Sequence, residues 1–193
     1  TNLAIEPQTS FSEAGLLEAA EVELRVLAVG LNFRDVLNVL GQYPGDPGPP
    51  GGDCSGTVSA VGSDIAHLKP GSDHVVGYAY APLASVARAY PLLLAIRPAS
   101  LHFEEACTLP TVGSTVHVAL EGSLMRGRQR LLVHAALGGV GLSAIESAHW
   151  LDSRVSATAS QPRKHAQLRV AHEVHRSSSS RDGGVLSYGM ARL

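Results

Sequence analysis

The chain has 193 residues, 45% apolar and 17% charged, with 15 Lys and Arg against 17 Asp and Glu for a formal charge of -2. That balance excludes a disordered chain and leaves no basic footprint for nucleic acid or an anionic membrane. No apolar stretch approaches the ~20 residues of a membrane span, and the lone Cys54 and Cys107 indicate neither a disulfide framework nor a CxxC metal motif. Thr1 to Glu6 lacks the basic and apolar regions of a signal peptide, so the expectation is a soluble, cytoplasmic domain.

Glu21 to Val29 alternates polar Glu21, Glu23 and Arg25 with apolar Val22, Leu24 and Val26, which predicts a half-buried strand. Asn32 then offers an N-cap for a short helix over Phe33 to Leu40. Gly41 to Gly52 holds five Gly and four Pro in twelve residues, with Tyr43 as the only aromatic, and reads as a loop. Short strands follow at Gly56 to Val61, His74 to Tyr78 and Leu92 to Ile96, with a turn at Lys69-Pro70-Gly71-Ser72 between the first two. Together these predict a small, barrel-like β domain.

From about Ser100 helix and strand alternate. Helices are predicted at Phe103 to Leu109 and Thr111 to Leu124. A strand at Leu131 to Val133 is followed by a helix from Val140 to Leu151, burying Val140, Ala144, Ile145, Ala148 and Leu151. A second strand at Val155 to Ala159 leads into a helix at Pro162 to Val170. Strand, helix, strand, helix is the pattern of a parallel sheet. The tail from Ser177 to Gly184 reads as polar and turn-rich, and two such units fall short of a closed doubly wound domain.

The sharpest chemical feature is Ala136-Leu137-Gly138-Gly139-Val140-Gly141, between a strand and a helix. It is the dinucleotide fingerprint with Ala in place of the first Gly. Gly138 and Gly139 would let the backbone approach a pyrophosphate, Gly141 would let helix and strand pack closely, and the helix N-terminus favours the anion. An NAD site usually carries Asp or Glu at the end of the second strand. Here Ser160, Arg163 and Lys164 stand instead. They suit a 2′-phosphate, so NADPH is the expected cofactor. A solvated first helical turn is the alternative.

Val29-Gly30-Leu31-Asn32-Phe33-Arg34-Asp35-Val36-Leu37, Leu40 to Gly45, Gly51 to Gly56 and Leu132 to Gly141 resemble the enoyl reductase domain of polyketide synthases and animal-type fatty acid synthases. That domain belongs to the zinc-free, quinone-oxidoreductase-like branch of the medium-chain dehydrogenase/reductase superfamily. The resemblance implies an α/β protein with a GroES-like β barrel over residues 1–100 and a partial Rossmann-type parallel sheet over 101–193. It implies hydride transfer from NADPH to the β-carbon of an enoyl thioester on acyl carrier protein, then protonation of the α-carbon. Neighbouring megasynthase domains would be partners, and a homodimer stays open.

By the same resemblance Tyr43, Lys164 and Asp182 fall on proton-donor positions. Each has a second reading: Tyr43 packed against Pro44 and Pro47, Lys164 on the 2′-phosphate, Asp182 as a turn residue. Asn32 as a cap, Asp35 as a solvated helix residue and His134 as a core histidine complete the expectations. Zinc is not expected, since only Asp53 and Cys54 stand near Gly51 to Gly56. Departures from the family pattern are Ser72-Asp73-His74, which loses an Arg, and Trp150-Leu151-Asp152-Ser153, which loses a helix-ending Gly. Roughly a hundred family residues would lie beyond Leu193. A stand-alone quinone or enone reductase, and a non-catalytic structural segment, are the competing readings.

Overall fold

The computed structural model describes residues 7, 8, 10–174 and 176–181. The chain divides into two compact units, Thr1–Thr111 and Val112–Leu193.

In the first unit, β1 (Val22–Gly30), β2 (Asp53–Val61), β3 (His74–Tyr78), β4 (Val86–Ala89) and β5 (Leu94–Ile96) form one sheet in the order β4-β1-β2-β3-β5. All its pairings are antiparallel. The β1–β2 register slips between Glu23 and Leu24 and again between Val26 and Ala28, and such irregularities bend and twist a sheet. Tyr80 donates its N–H to the Arg88 carbonyl at 2.8 Å, bringing the segment after β3 back against β4. Val22, Leu24, Cys54, Val58 and Val75 are fully buried and form the core. Gly71 takes φ +78 in the Pro-Gly turn, a conformation that favours glycine.

Strand β4 is absent from the sequence expectation because Val86-Ala87-Arg88-Ala89 is only four residues long and its buried side chains are small alanines. A 3-10 turn at Pro91–Leu93 shortens the expected strand at Leu92 to Leu94–Ile96. Glu23 on β1 and Glu21 just before it are buried, correcting the solvent-facing alternation. The Glu23 carboxylate accepts from Ser10 Oγ (2.8 Å), Ser12 N (3.0 Å) and Ser59 Oγ (2.8 Å). Burial pushes its pKa up, but these hydrogen bonds outweigh burial and hold it below the ordinary value.

Helix α1 (Phe33–Val39) starts at the expected cap, Asn32. Helix α2 (Phe103–Ala106) is shorter than expected, and α3 (Pro110–Gly122) takes up the chain at Pro110, a residue suited to a first helical position.

In the second unit, β6 (Arg130–Val133), β7 (Arg154–Ala159) and β8 (Arg176–Ser179) form a parallel sheet in that order. Helices α4 (Gly139–Trp150) and α5 (Pro162–Ala171) connect the strands. Val133, Ile145, Ala148, Val155 and Leu168 make its core. The serine run that reads as turn is β8, held by its ladder with β7 and by Ser180 N–H to Ala159 O (3.1 Å). Val140 is 44% exposed, not buried, because it sits in the first turn of α4 beside the glycine loop. Among the described residues, no helix is long and apolar enough to cross a membrane.

Candidate functional site

The glycine loop leaves the carboxyl end of β6 and is tied to β7 through the fully buried Thr158. Ala136 N–H donates to the Thr158 carbonyl (3.1 Å) and Ala135 N–H to Thr158 Oγ1 (3.3 Å). His134 Nδ1 lies 3.2 Å from the same hydroxyl, yet His134 is exposed rather than a core histidine. Its side chain follows the loop out of the strand. Ala135 holds φ +50, a non-glycine residue in the left-handed region at the point where the chain turns toward the helix. Gly138 is the N-cap of α4, so the N–H groups of the helix's first turn lack partners within the helix. They and the helix dipole favour an anion there.

The three glycines differ in what the chain itself demands. A Cβ on Gly141 would stand 2.6 Å from Ala136 Cα and 2.7 Å from its carbonyl. Only glycine fits that approach of the helix to the loop that precedes it. A Cβ on Gly139 would press on Val112 Cγ1 at 3.0 Å. At Gly138 it would meet only the Ala135 carbonyl at 3.4 Å, an ordinary contact, and φ there is -83, which any residue adopts. Among the described residues, nothing calls for glycine at 138. The space there is open to a group from outside, and a pyrophosphate on the helix N-terminus is such a group. The loop therefore fits a dinucleotide. Beside it lies a cavity of about 420 Å³ bounded by Val116, Leu132, His134, Gly138 and Val140.

Strands β6 and β7 run parallel, with Val133 opposite Ala157, so the residues after β7 emerge at the same edge as the glycine loop. Ser160 is half-buried there. Arg163 is exposed and Lys164 half-buried in the first turn of α5. Among the described residues neither cation forms an ion pair, and α5 carries no acid in its first turn. This edge can hold a pyrophosphate and a further phosphate. Arg163 and Lys164 leave this edge cationic.

Tyr43 belongs to the first unit, half-buried in the loop after α1. That loop is clasped by side chains of α1. Arg34 Nη2 donates to the Pro47 carbonyl, Asn38 Nδ2 to the Gly48 carbonyl (2.9 Å), and Gly51 N–H to Asp35 Oδ1 (2.8 Å). Asp35 is 4% exposed and also accepts from Asn32 N–H (2.8 Å). It is a buried anchor of loop and helix start, not a solvated helix residue. Arg34 and Asn38, one helical turn apart beside a loop rich in Gly and Pro, were the available sequence signal. Asp182 lies outside the described residues.

Asp53, 2% exposed, accepts from Asn32 Nδ2 (3.2 Å), Thr111 N–H (3.1 Å) and Thr111 Oγ1 (2.6 Å). Its oxygens are occupied within the chain. Burial, with the Asp53 and Cys107 charges behind it, pushes the Cys54 thiol up to about 12, so it stays a protonated, packed group at neutral pH. Among the described residues, no group of three or more His, Cys, Asp and Glu side chains could hold a metal ion.

Residues 18–90 match the alcohol dehydrogenase GroES-like domain. The erythronolide synthase EryA2 of Saccharopolyspora erythraea is 38% identical over 170 residues, 88% of this chain and 5% of that protein. The crystal structure of CurK enoyl reductase superposes with a TM-score of 0.85 at 30% identity, covering 99% of this chain and 59% of CurK. The quinone oxidoreductase of Escherichia coli complexed with NADPH superposes at 0.79 and 28% identity, covering 96% and 56%. This chain thus spans a small part of the synthase and over half of each solved reductase. The β unit expected from the residues is the one that matches the GroES-like domain implied by the family resemblance. Over residues 18–90 the chain carries the alcohol dehydrogenase GroES-like domain, and over most of its length it is similar to a polyketide synthase, an enoyl reductase and a quinone oxidoreductase.

Proposed function

We propose that the chain is the leading part of an NADPH-dependent enoyl-thioester reductase domain in a polyketide synthase. Gly138 carries the reading: its glycine has no steric or dihedral cause among the described residues, and the helix N-terminus beside it suits a pyrophosphate. Arg163 and Lys164 stand where an NAD site would place a carboxylate, so the 2′-phosphate finds charge-assisted partners instead of repulsion. The NADPH complex of the E. coli relative supports the choice.

In this reading residues 1–100 form the substrate-side unit and 101–193 the cofactor-side unit of a longer domain. The backbone of Ala136, Gly138, Gly139, Val140 and Gly141 cradles the pyrophosphate. Ser160, Arg163 and Lys164 receive the ribose phosphate. Bound NADPH supplies a hydride to the β-carbon of the enoyl thioester. The electron pair of the double bond moves to the α-carbon side, where Tyr43, Lys164 or Asp182 delivers the proton, leaving a saturated thioester. A positioned acid of this kind contributes roughly 10²–10⁴-fold. The substrate arrives on acyl carrier protein, and neighbouring synthase domains are the other partners, as the likeness to a modular synthase suggests.

Titration of the purified chain with NADPH and NADH in parallel tests the cofactor. Saturable binding that prefers NADPH supports the reading, and equal affinity removes the role of Arg163 and Lys164. The likeness to E. coli quinone oxidoreductase favours a second reading, reduction of a free quinone or enone. Comparing turnover of a carrier-linked enoyl thioester with that of a free enone separates the two.

A further inference from the structure

The end of the parallel sheet remote from the glycine loop carries a second concentration of cationic groups. Arg130 and Arg154 are the first residues of β6 and β7 and stand directly opposite each other in register. Adjacent strands lie ~4.8 Å apart, and in-register neighbours of a parallel pair project from the same face. Like charges so placed repel and destabilise the pair. Among the described residues, neither side chain has a hydrogen-bond or ion-pair partner. Both line a recess of about 710 Å³ together with Arg128, His149, Asp152 and Glu173.

The backbone around this recess is held in costly conformations. Arg128 (φ +64), Asp152 (φ +53) and Glu173 (φ +49) are half of the six non-glycine residues with positive φ among those described. Such conformations persist where the surroundings over-determine them, as at ligand sites. Here the surroundings are visible. Arg128 N–H donates to the Leu151 carbonyl (3.1 Å) and Arg154 N–H to the Gln129 carbonyl (2.9 Å), and Arg128 Nε reaches Asp152 Oδ2 at 3.3 Å. Asp152 occupies the helix-ending position where the sequence lacks the usual glycine, so its side chain reaches a rim that glycine would leave bare. The ion pair occupies Arg128 and Asp152 with each other. Arg130, Arg154 and Glu173 are left facing the recess.

We propose that this recess is an anion site that takes a phosphate group between the guanidinium groups of Arg130 and Arg154. Two planar forks side by side match the oxygens of a phosphate, and a doubly charged anion removes the repulsion between them. Glu173, the unpaired carboxylate at the rim, opposes the anion and limits its affinity. The inference is independent of the reductase reading, since it uses the other end of the sheet.

The test is a titration of the 193-residue chain at low ionic strength with inorganic phosphate and, separately, phenyl phosphate, read by 31P line broadening and calorimetry. Saturable one-site binding is expected, weakened roughly tenfold by Arg130→Ala or Arg154→Ala and tightened by Glu173→Gln. Tighter binding of phenyl phosphate assigns a phosphoester as the source, and tighter binding of the free ion assigns inorganic phosphate. Should Arg154→Ala not fold, Arg154→Lys keeps the charge without the fork and is expected to weaken binding as well. Gly138→Asp, which blocks the glycine loop, is expected to leave phosphate binding intact while abolishing NADPH binding. Absence of saturation in the unmutated chain overturns the proposal. So does phosphate binding that survives Arg130→Ala with Arg154→Ala but disappears in Gly138→Asp.

Discussion

Two polar regions of this molecule look alike in sequence and differ in how their hydrogen-bonding capacity is used. In the first unit Asn32, Asp35, Asp53 and Thr111 close on one another, and every contact serves the fold. In the second unit the helix N-terminus at Gly138 and the cations Arg163 and Lys164 have no such partners among the described residues. Buried polar groups must be satisfied or the fold bears the cost, so the closed network reads as architecture. Groups left open to solvent at the carboxyl edge of a parallel sheet are available to a ligand. The lesson is that a motif's conspicuous residues divide by what already occupies them: Asp35 and Asp53 are taken, Gly138 and Lys164 are not.

That contrast can be broken at several points. The largest effect is expected from Asp53→Ala, which removes the buried acceptor shared by the Thr111 hydroxyl and N–H and the Asn32 amide. Roughly 3 kcal/mol of stability should be lost in urea unfolding, and a change under about 1 kcal/mol would show the network to be ornamental. Next is the pair Gly141→Ala and Gly138→Ala. The first forces a Cβ against the Ala136 backbone and should cost about 2–3 kcal/mol. The second should leave stability within about 0.5 kcal/mol while weakening NADPH binding. Equal thermal shifts for the two variants would erase the distinction drawn between these glycines.

Arg163→Ala should weaken NADPH roughly tenfold, or about 1.4 kcal/mol, and leave NADH unchanged, read by fluorescence titration. The smallest effect concerns Glu23. Its pKa lies lower in the folded chain than the ordinary 4.5, so its ionised form stabilises the fold. That contribution is complete above the unfolded value and disappears as pH falls through the lower folded one. The stability gap between the wild type and Glu23→Gln should shrink as pH drops below 4.5, and a gap independent of pH would remove the carboxylate from this role.

Elements whose side chains repeat at a local period are legible in the amino-acid sequence itself. Strand β1, the α1 start at Asn32 and the succession from β6 to α5 all follow from alternation, capping and helical spacing within a few residues. Strands β4 and β8 do not. Val86-Ala87-Arg88-Ala89 is too short, and Arg176-Ser177-Ser178-Ser179 too polar, to read as a strand alone, and both become strands because β1 and β7 offer them an edge. In the candidate site, the glycine loop and the missing acid after β7 are readable in one dimension. The burial of Asp35 and Glu23 and the exposure of His134 are not.

The amino-acid sequence alone determined that a β unit precedes a glycine-loop βα unit, and that the edge after the second strand is cationic. These are properties of neighbouring residues, set by periodicity, turn chemistry and charge. Only the tertiary structure decided which polar groups are consumed. Asp53 meets Thr111 across 58 positions, Glu23 meets Ser59 across 36, and Arg130 stands opposite Arg154 through strand register. Whether a carboxylate is an anchor or a solvated charge depends on partners that folding brings from far along the chain, and no local pattern records them.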